Sequence, residues 1–181
     1  YDGSNKLGKS RSARWLPTWN VSGAWHVTNE KFMEPVETIS RLTLRATYGL
    51  TASMGPSSNS IAVLYNDVAY RPNQSDRENL IYISSLENSE LTWEKQYETN
   101  VGIDLGIFDN RISLSADVYW RKGFDLIGNV RTSGIGGQQT KKANYANMKS
   151  NGVEFTLNTK NLVYSNFSWT TNWTFAFNKN K

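Results

Sequence analysis

Apolar and polar residues alternate along two adjoining segments, residues 93–107 and 112–126. The odd positions are largely apolar in the first segment, and the even positions are largely apolar in the second. Because side chains of a β-strand point alternately to its two faces, each segment predicts a long strand with one apolar and one polar face. Asp109-Asn110 between them suits a two-residue type I′ turn, which needs positive φ at both positions. This turn places Ile107 opposite Ile112, so both apolar rows lie on one face.

The two faces of this hairpin predict contact with lipid on one side and with a water-filled lumen on the other. The positions expected to face hydrocarbon are Val101, Ile103, Leu105, Leu114, Ala116 and Val118. The positions expected to face the lumen are Glu98, Asn100, Asp104, Ser115, Asp117 and Arg121. Glu98 falls opposite Arg121 in this register, which predicts a cross-strand ion pair.

The height of the apolar rows also fits a membrane. Trp120 lies about nine residues past the turn, a rise of about 21 Å for a strand tilted near 45°. The apolar band of an outer-membrane barrel is about 25 Å tall and ends in an aromatic girdle. Tyr97 and Trp120 are therefore expected at one edge of such a girdle.

The same alternation recurs in residues 15–27, 40–50, 153–163 and 167–177, and residues 1–8 resemble the end of a further strand. The fold class predicted is all-β: an antiparallel transmembrane β-barrel segment of about six to eight strands. Such a count does not close a membrane barrel, and lipid does not tolerate open sheet edges. Residues 1–181 are therefore expected to be one partial β-barrel domain, an internal piece of a larger barrel.

The connections between these strands alternate in length. The turns near residues 109–110 and 164–166 are short, whereas residues 51–91 and 128–151 form long segments rich in Gly, Ser and Asn. Short periplasmic turns and long extracellular loops are typical of outer-membrane barrels. The first long loop is expected to hold an extra hairpin, because residues 61–70 and 80–83 have strand-like patterns.

Composition narrows the class further. No run approaches the roughly 18 consecutive apolar residues of a membrane helix, and the mean hydropathy is −0.57. The chain has no Cys and a single His, His26, so no metal or other cofactor is expected, and His26 is interpreted as a hydrogen-bonded side chain. The net charge of +4 is spread along the chain, so no nucleic-acid partner is expected.

Candidate chemistry is limited to binding. Asp104 and Asp117 share the polar face and resemble the paired carboxylates of a glycosidase, but the preferred interpretation is a polar lumen lining, and nothing indicates an enzyme. The loop over residues 51–91 carries Tyr faces that can stack on sugar rings or peptide groups, and polar groups that can bind hydroxyls or amides. Its candidate contact residues are Tyr65, Asp67, Tyr70, Arg71, Asn73, Arg77 and Tyr82.

Several stretches, in order along the chain, resemble SusC-type TonB-dependent outer-membrane transporters. They are Asp2-Gly3-Ser4, residues 42–49, Trp93-Glu94-Lys95, residues 100–104, residues 108–112, Asp117-Val118-Tyr119, Asp125-Leu126-Ile127, residues 151–154 and residues 177–180. The resemblance implies a barrel of about 22 strands with an N-terminal plug, in the bacterial outer membrane and surrounded by its lipid. It also implies import of glycans or peptides, energised by the TonB complex through regions not in this chain, with a SusD-like surface lipoprotein as an external lid.

One alternative from a different class stays open at this point. A secreted or surface carbohydrate-binding β-sandwich module also has alternating strands, and its exposed Trp and Tyr side chains would stack on sugars. Sandwich strands usually run about 5–6 residues, which is shorter than the segments here. A binding module of that kind is soluble alone, whereas a barrel segment depends on detergent.

Overall fold

A computed structural model describes residues 2–4, 6–7, 14–55, 60–70, 77–135 and 138–181 of the chain. The strands in this described part are β1 (Asp2–Gly3), β2 (Trp15–Leu16), β3 (Trp19–His26), β4 (Ile39–Ser53), β5 (Val63–Tyr70), β6 (Arg77–Ser85), β7 (Glu94–Ile107), β8 (Ile112–Arg131), β9 (Thr140–Tyr164) and β10 (Phe167–Asn180). Two short 3-10 helices, Val27–Asn29 and Lys31–Met33, follow β3. None of the helices described is long and apolar enough to cross a membrane.

Six of these strands form one sheet in the order β10-β9-β8-β7-β4-β3. β4 lies beside β7, although β5 and β6 come between them in the sequence. The pairs β3–β4, β5–β6 and β9–β10 are antiparallel. The all-β antiparallel fold class is confirmed, and so is the extra hairpin within the first long connection, which is formed by β5 and β6.

The chain divides into two compact units. The sheet unit comprises residues 19–51, 96–122 and 148–181. Its alternation leaves one face covered with large apolar side chains, the apolar face, and the other with polar side chains, the polar face. Exposed members of the apolar face include Val21, Trp25, Leu44, Tyr48, Val101, Trp120, Val153, Trp173, Phe175 and Phe177. Apolar exposure on this scale marks a surface that contacts lipid or another protein.

The loop unit comprises residues 1–18, 52–95 and 123–147. Its core consists of the buried side chains of Leu7, Leu91 and Trp93. The indole N–H of Trp93 donates a hydrogen bond of 3.1 Å to the carbonyl of Arg14. A buried indole needs such a partner, because an unpaired buried donor costs about 1–3 kcal/mol.

The turn between β7 and β8 has the predicted geometry. Asp109 and Asn110 have φ values of 54° and 58°, and the N–H of Arg111 donates to the carbonyl of Phe108 at 3.0 Å. Positive φ at both central residues is the requirement of a type I′ turn, whose twist matches the twist of the paired strands. The predicted two-residue register is confirmed, but Phe108 before the turn also has a positive φ of 53°, and its N–H donates to the carbonyl of Thr38 at 3.0 Å.

The long loop predicted over residues 128–151 is wrong. β8 continues to Arg131, and β9 already begins at Thr140. A strand of the 20 residues found in β8 spans about 66 Å, or about 47 Å along the normal at a tilt near 45°. This exceeds an apolar band of about 25 Å, so the ends of β8 and β9 need no apolar row. Their polar composition therefore gave the appearance of a loop.

The single strand predicted over residues 15–27 is also wrong. It is divided into β2 and β3 at Pro17, and a 3-10 helix begins at Val27. Proline lacks the backbone N–H that a sheet ladder requires, so it interrupts pairing. β2 pairs instead with β1, where Asp2 lies opposite Leu16; the strand expected in residues 1–8 is limited to Asp2–Gly3 in the described residues.

Substitution of Asn110 tests the turn. Asn110→Val should destabilise the folded full-length barrel by about 1–2 kcal/mol, because a β-branched residue is disfavoured at positive φ. Asn110→Gly should be close to neutral, since glycine adopts positive φ without steric cost. Urea-dependent refolding into lipid vesicles measures both variants, and equal unfolding midpoints for Val and Gly would contradict the turn.

Substitution with arginine tests the assignment of the two faces. Ile103→Arg should cost about 2–4 kcal/mol near the midplane of the bilayer, and Ser115→Arg should cost much less. Ser115 already donates a hydrogen bond to Asp104 at 2.7 Å, so an arginine there finds a carboxylate nearby. The same refolding assay compares the two variants, and equal losses would count against lipid contact on the apolar face.

Candidate functional site

The polar face of the sheet unit carries an ionic network centred on Arg45. Its guanidinium donates to both carboxylate oxygens of Asp104, at 2.8 and 3.2 Å, and to Asp117 at 3.1 Å. Arg45 belongs to β4, Asp104 to β7 and Asp117 to β8, so one side chain joins three strands. Charge-assisted bonds with two contacts to one carboxylate are stronger and more directional than neutral hydrogen bonds.

Arg41 lies at the edge of this network. Its Nη2 is 3.6 Å from Asp104, and its side chain is 60% exposed, compared with 36% for Arg45. A solvated pair at this distance contributes little, because water screens the charges. The network therefore depends on Arg45 more than on Arg41.

A second ionic pair lies on the same face. Arg121 Nη2 donates to Glu98 Oε1 at 3.1 Å, which confirms the predicted cross-strand ion pair. The Arg121 guanidinium also lies 4.3 Å from the centre of the Tyr119 ring. This cation–π contact with Tyr119 is a second attraction on the Arg121 guanidinium, in addition to its ion pair with Glu98. Glu98 and Arg121 are equally far along the chain from the Asp109-Asn110 turn, as are Asp104 and Ser115, so both contacts agree with the two-residue register.

Glycines allow these side chains to lie close to the backbone. A Cβ on Gly102 would meet Asp117, and it would also lie 2.8 Å from Arg45 Nη2. A Cβ on Gly152 would lie 2.6 Å from the buried ring of Tyr119. Both distances are shorter than van der Waals contact, so the network and the ring occupy space that only glycine leaves free.

The network has consequences for the chemistry of the two aspartates. A glycosidase needs two carboxyl groups that flank a substrate bond. Asp104 and Asp117 instead share one arginine, and Asp104 also accepts from Ser115. The arrangement is that of a bound ionic cluster. Asn100 is half-buried on β7, and the orientation of all these polar residues toward a lumen stays a prediction.

His26 has the environment expected from the sequence. Its Nδ1 lies 3.1 Å from the hydroxyl oxygen of Thr43, which is buried. Among the described residues, no group of three or more His, Asp or Glu side chains is arranged to hold a metal ion.

The β5–β6 hairpin of the loop unit holds the other candidate residues. Tyr65 pairs with Tyr82 across the hairpin, and their rings stack with centroids 6.0 Å apart and planes at 22°. Asp67 Oδ1 accepts a hydrogen bond from the backbone N–H of Val68 at 2.8 Å. Tyr70 and Arg77 form the last backbone pair of the hairpin, whereas Arg71 and Asn73 lie outside the described residues.

The hairpin exposes large apolar side chains on both of its faces. One face carries Tyr65 and Tyr82 with Leu80, and the opposite face carries Leu64, Val68 and Ile81. An isolated two-stranded sheet is marginally stable in water, and apolar exposure on both faces marks an interaction surface. The structure therefore brings together Tyr65 and Tyr82 from the predicted set and adds an aliphatic face to them.

Sequence reasoning did not select Arg45 or Tyr119 as site residues. The alternation places Arg45 in the polar row of residues 40–50, so the sequence does predict which face of the strand it lies on. The sequence does not predict its partners, because β4 pairs with β7 across an inserted hairpin. Tyr119 was not selected because the alternation pattern shows only that it lies in a polar row. The pattern does not show that Gly152 leaves room for its ring.

Removal of Arg45 tests the network. Arg45→Ala should destabilise the full-length barrel by about 1–3 kcal/mol, because two partly buried carboxylates lose their shared donor. Arg41→Ala is the matched control and should change stability by less than about 0.5 kcal/mol. Unfolding in urea measures both, and an Arg41 effect as large as that of Arg45 would contradict the geometry.

Known proteins are similar to this chain in sequence and in fold. A family model described as TonB dependent receptor-like, beta-barrel, matches residues 1–181. TonB-dependent receptor P3 of Formosa agariphila is 29% identical over 180 residues, which cover 99% of this chain and 18% of that receptor. TonB-dependent receptor SusC of Bacteroides thetaiotaomicron is 28% identical over 192 residues, covering 100% of this chain and 18% of SusC.

A solved structure agrees with these matches. The structure of the RagAB peptide importer in the closed-closed state matches with a TM-score of 0.83 and 26% identity, over 98% of this chain and 19% of that chain. The chain thus spans less than a fifth of the length of these relatives. The match of a barrel family to every residue overturns the alternative of a β-sandwich module. The resemblance to SusC-type transporters is confirmed, and the chain belongs to the TonB-dependent receptor-like β-barrel family of the bacterial outer membrane.

Proposed function

We propose that this chain supplies part of the barrel wall of an outer-membrane importer for glycans or peptides. Support comes from the family and from two relatives, SusC, a TonB-dependent receptor, and RagAB, a peptide importer. Energy from the TonB complex enters through regions outside residues 1–181. A SusD-like surface lipoprotein is the proposed partner on the extracellular side, and the β5–β6 hairpin is proposed to lie on that side.

The observation that carries a binding role is the exposed hairpin. The stacked rings of Tyr65 and Tyr82 belong to residues that are 53% and 44% exposed, so part of each tyrosine is open to a ligand. An aromatic face stacks on the apolar face of a sugar or on a peptide group, while the phenol hydroxyl bonds to polar groups. We assign the tyrosine face of the hairpin to the imported solute.

The opposite face of the hairpin suits a protein partner. Leu64, Val68 and Ile81 are 60%, 40% and 68% exposed on it. Aliphatic side chains bind sugars poorly because they offer neither hydrogen bonds nor a flat ring, but they form the centre of protein interfaces. We assign this aliphatic face to the SusD-like lipoprotein.

Paired substitutions separate these two roles. Tyr65→Ala with Tyr82→Ala should weaken solute uptake by roughly tenfold, since each aromatic contact contributes about 0.5–1.5 kcal/mol beyond its area. Lipoprotein capture should be retained in that variant. Leu64→Ser with Ile81→Ser is the matched control and should show the opposite pattern. Uptake of defined oligosaccharides and peptides, and co-purification of the lipoprotein, are the measurements.

Excision of the hairpin tests the proposal as a whole. Val63 lies opposite Ser85, so a short glycine-serine linker can replace the segment between them without moving what precedes or follows. The variant should assemble normally in the outer membrane but lose uptake, lipoprotein binding or both. Full retention of both activities would show that the hairpin has no part in import.

A further inference from the structure

A row of lysines lies just beyond the apolar face of the sheet unit. Lys122 follows Trp120 by two positions on β8, and Lys179 follows Phe177 by two positions on β10. They therefore lie on the same face as those exposed aromatic side chains. Lys149 on β9 and Lys181 continue the row, and all four lysines are exposed.

Two of these lysines lie directly opposite each other. The N–H of Lys149 donates to the carbonyl of Lys181, and the N–H of Lys181 donates to the carbonyl of Lys149, both at 2.8 Å. Residues that exchange both bonds have Cα atoms about 5.5 Å apart. Like charges in this position repel each other and destabilise the pairing. An anion bound between the two ammonium groups would remove that penalty.

Aromatic residues border the same region. Trp120, Lys122, Lys149 and Asn151 line an open groove of about 480 Å³, together with Tyr48, Tyr97 and Thr99. The rings of Tyr48 and Tyr97 stack with centroids 5.9 Å apart, and Trp19 contacts Tyr48 edge-on at 5.3 Å. Trp and Tyr rings prefer the boundary between hydrocarbon and head groups. The groove thus lies where the predicted aromatic girdle meets the lysine row.

The charge on this face has one sign. Along residues 19–51, 96–122 and 148–181, the strand positions on the apolar face include no Asp or Glu; the strand carboxylates, among them Glu98, Asp104, Asp117 and Glu154, fall on the polar face. Lysines near the edge of an apolar band extend their ammonium groups toward water while their alkyl chains stay in contact with apolar surface. An acidic counterpart must come from outside the sheet unit.

We propose that this groove binds the phosphate-bearing head group of an outer-membrane lipid. Lys122, Lys149 and the neighbouring lysines hold the phosphate, and Trp120 with the apolar face packs against the acyl chains. Lysine clusters next to a membrane recognise anionic lipids through the same attraction. The proposal rests on the outer-membrane location of the family and is independent of the solute that the protein imports.

The test uses the full-length receptor in detergent, with lipid A and dephosphorylated lipid A as probes in native mass spectrometry. Lys122→Gln with Lys149→Gln should bind lipid A roughly tenfold more weakly than the parent, because two attractive charges are lost. Lys122→Arg with Lys149→Arg should bind like the parent. Lys31→Gln with Lys160→Gln removes the same charge from exposed positions outside the groove and should leave binding unchanged.

Three results would overturn the proposal. They are equal binding of lipid A by the Gln variant and the parent, equal binding of phosphorylated and dephosphorylated lipid, and displacement of lipid A by an equal concentration of inorganic phosphate. The last would identify a site for a free anion. Heat-dependent gel migration verifies that each variant is folded. Should the double Gln variant not fold, Lys179→Gln, at an exposed position of the sheet-edge strand β10, provides the same comparison with a smaller expected loss.

Discussion

The rest of this structure depends on the pairing of backbone N–H and C=O groups in a medium without water. In hydrocarbon an unpaired backbone group costs several kcal/mol, so strands must be long, continuous and bonded on both sides. β7, β8 and β9 meet this condition, since each has a neighbour on either side in the sheet. β3 and β10 are the edge strands among the described residues, and a membrane barrel requires further strands to pair with them.

Once the backbone is paired, the alternation of side chains decides the chemistry of each face. The apolar face carries Trp and Phe side chains that a soluble protein would bury, whereas the polar face gathers its charges into contacts between strands. Arg45 bonds to two aspartates, and Arg121 contacts one glutamate and one aromatic ring. The binding role proposed for the β5–β6 hairpin rests instead on the large side chains that the hairpin exposes on both of its faces.

The sequence was informative where local rules decide the outcome. The Asp109-Asn110 turn and the ion pair between Glu98 and Arg121 followed from period-two alternation and turn chemistry alone. Neighbours that are remote in sequence did not follow, because no local rule reports that β4 lies beside β7. The start of β9 was missed for a different reason. Outside the apolar band a strand needs no apolar row, so its composition is as polar as that of a loop. Pro17 was readable as a break in pairing, but the alternation on both sides of it obscured that signal.

The glycines of the polar face bear on how much room a solute has. The free cross-section of a passage depends on how far the side chains of its wall reach inward. Over Gly102 the charged groups of Arg45 and Asp117 lie close to the backbone, and Tyr119 lies close to Gly152. The polar face is predicted to line a lumen. Side chains that pack flat over these glycines reach less far inward, so the wall is thin and smooth although it still carries the charges of Arg45 and Asp117. A passing solute then meets a surface whose ionic groups are already engaged with one another, and it is less prone to be held there.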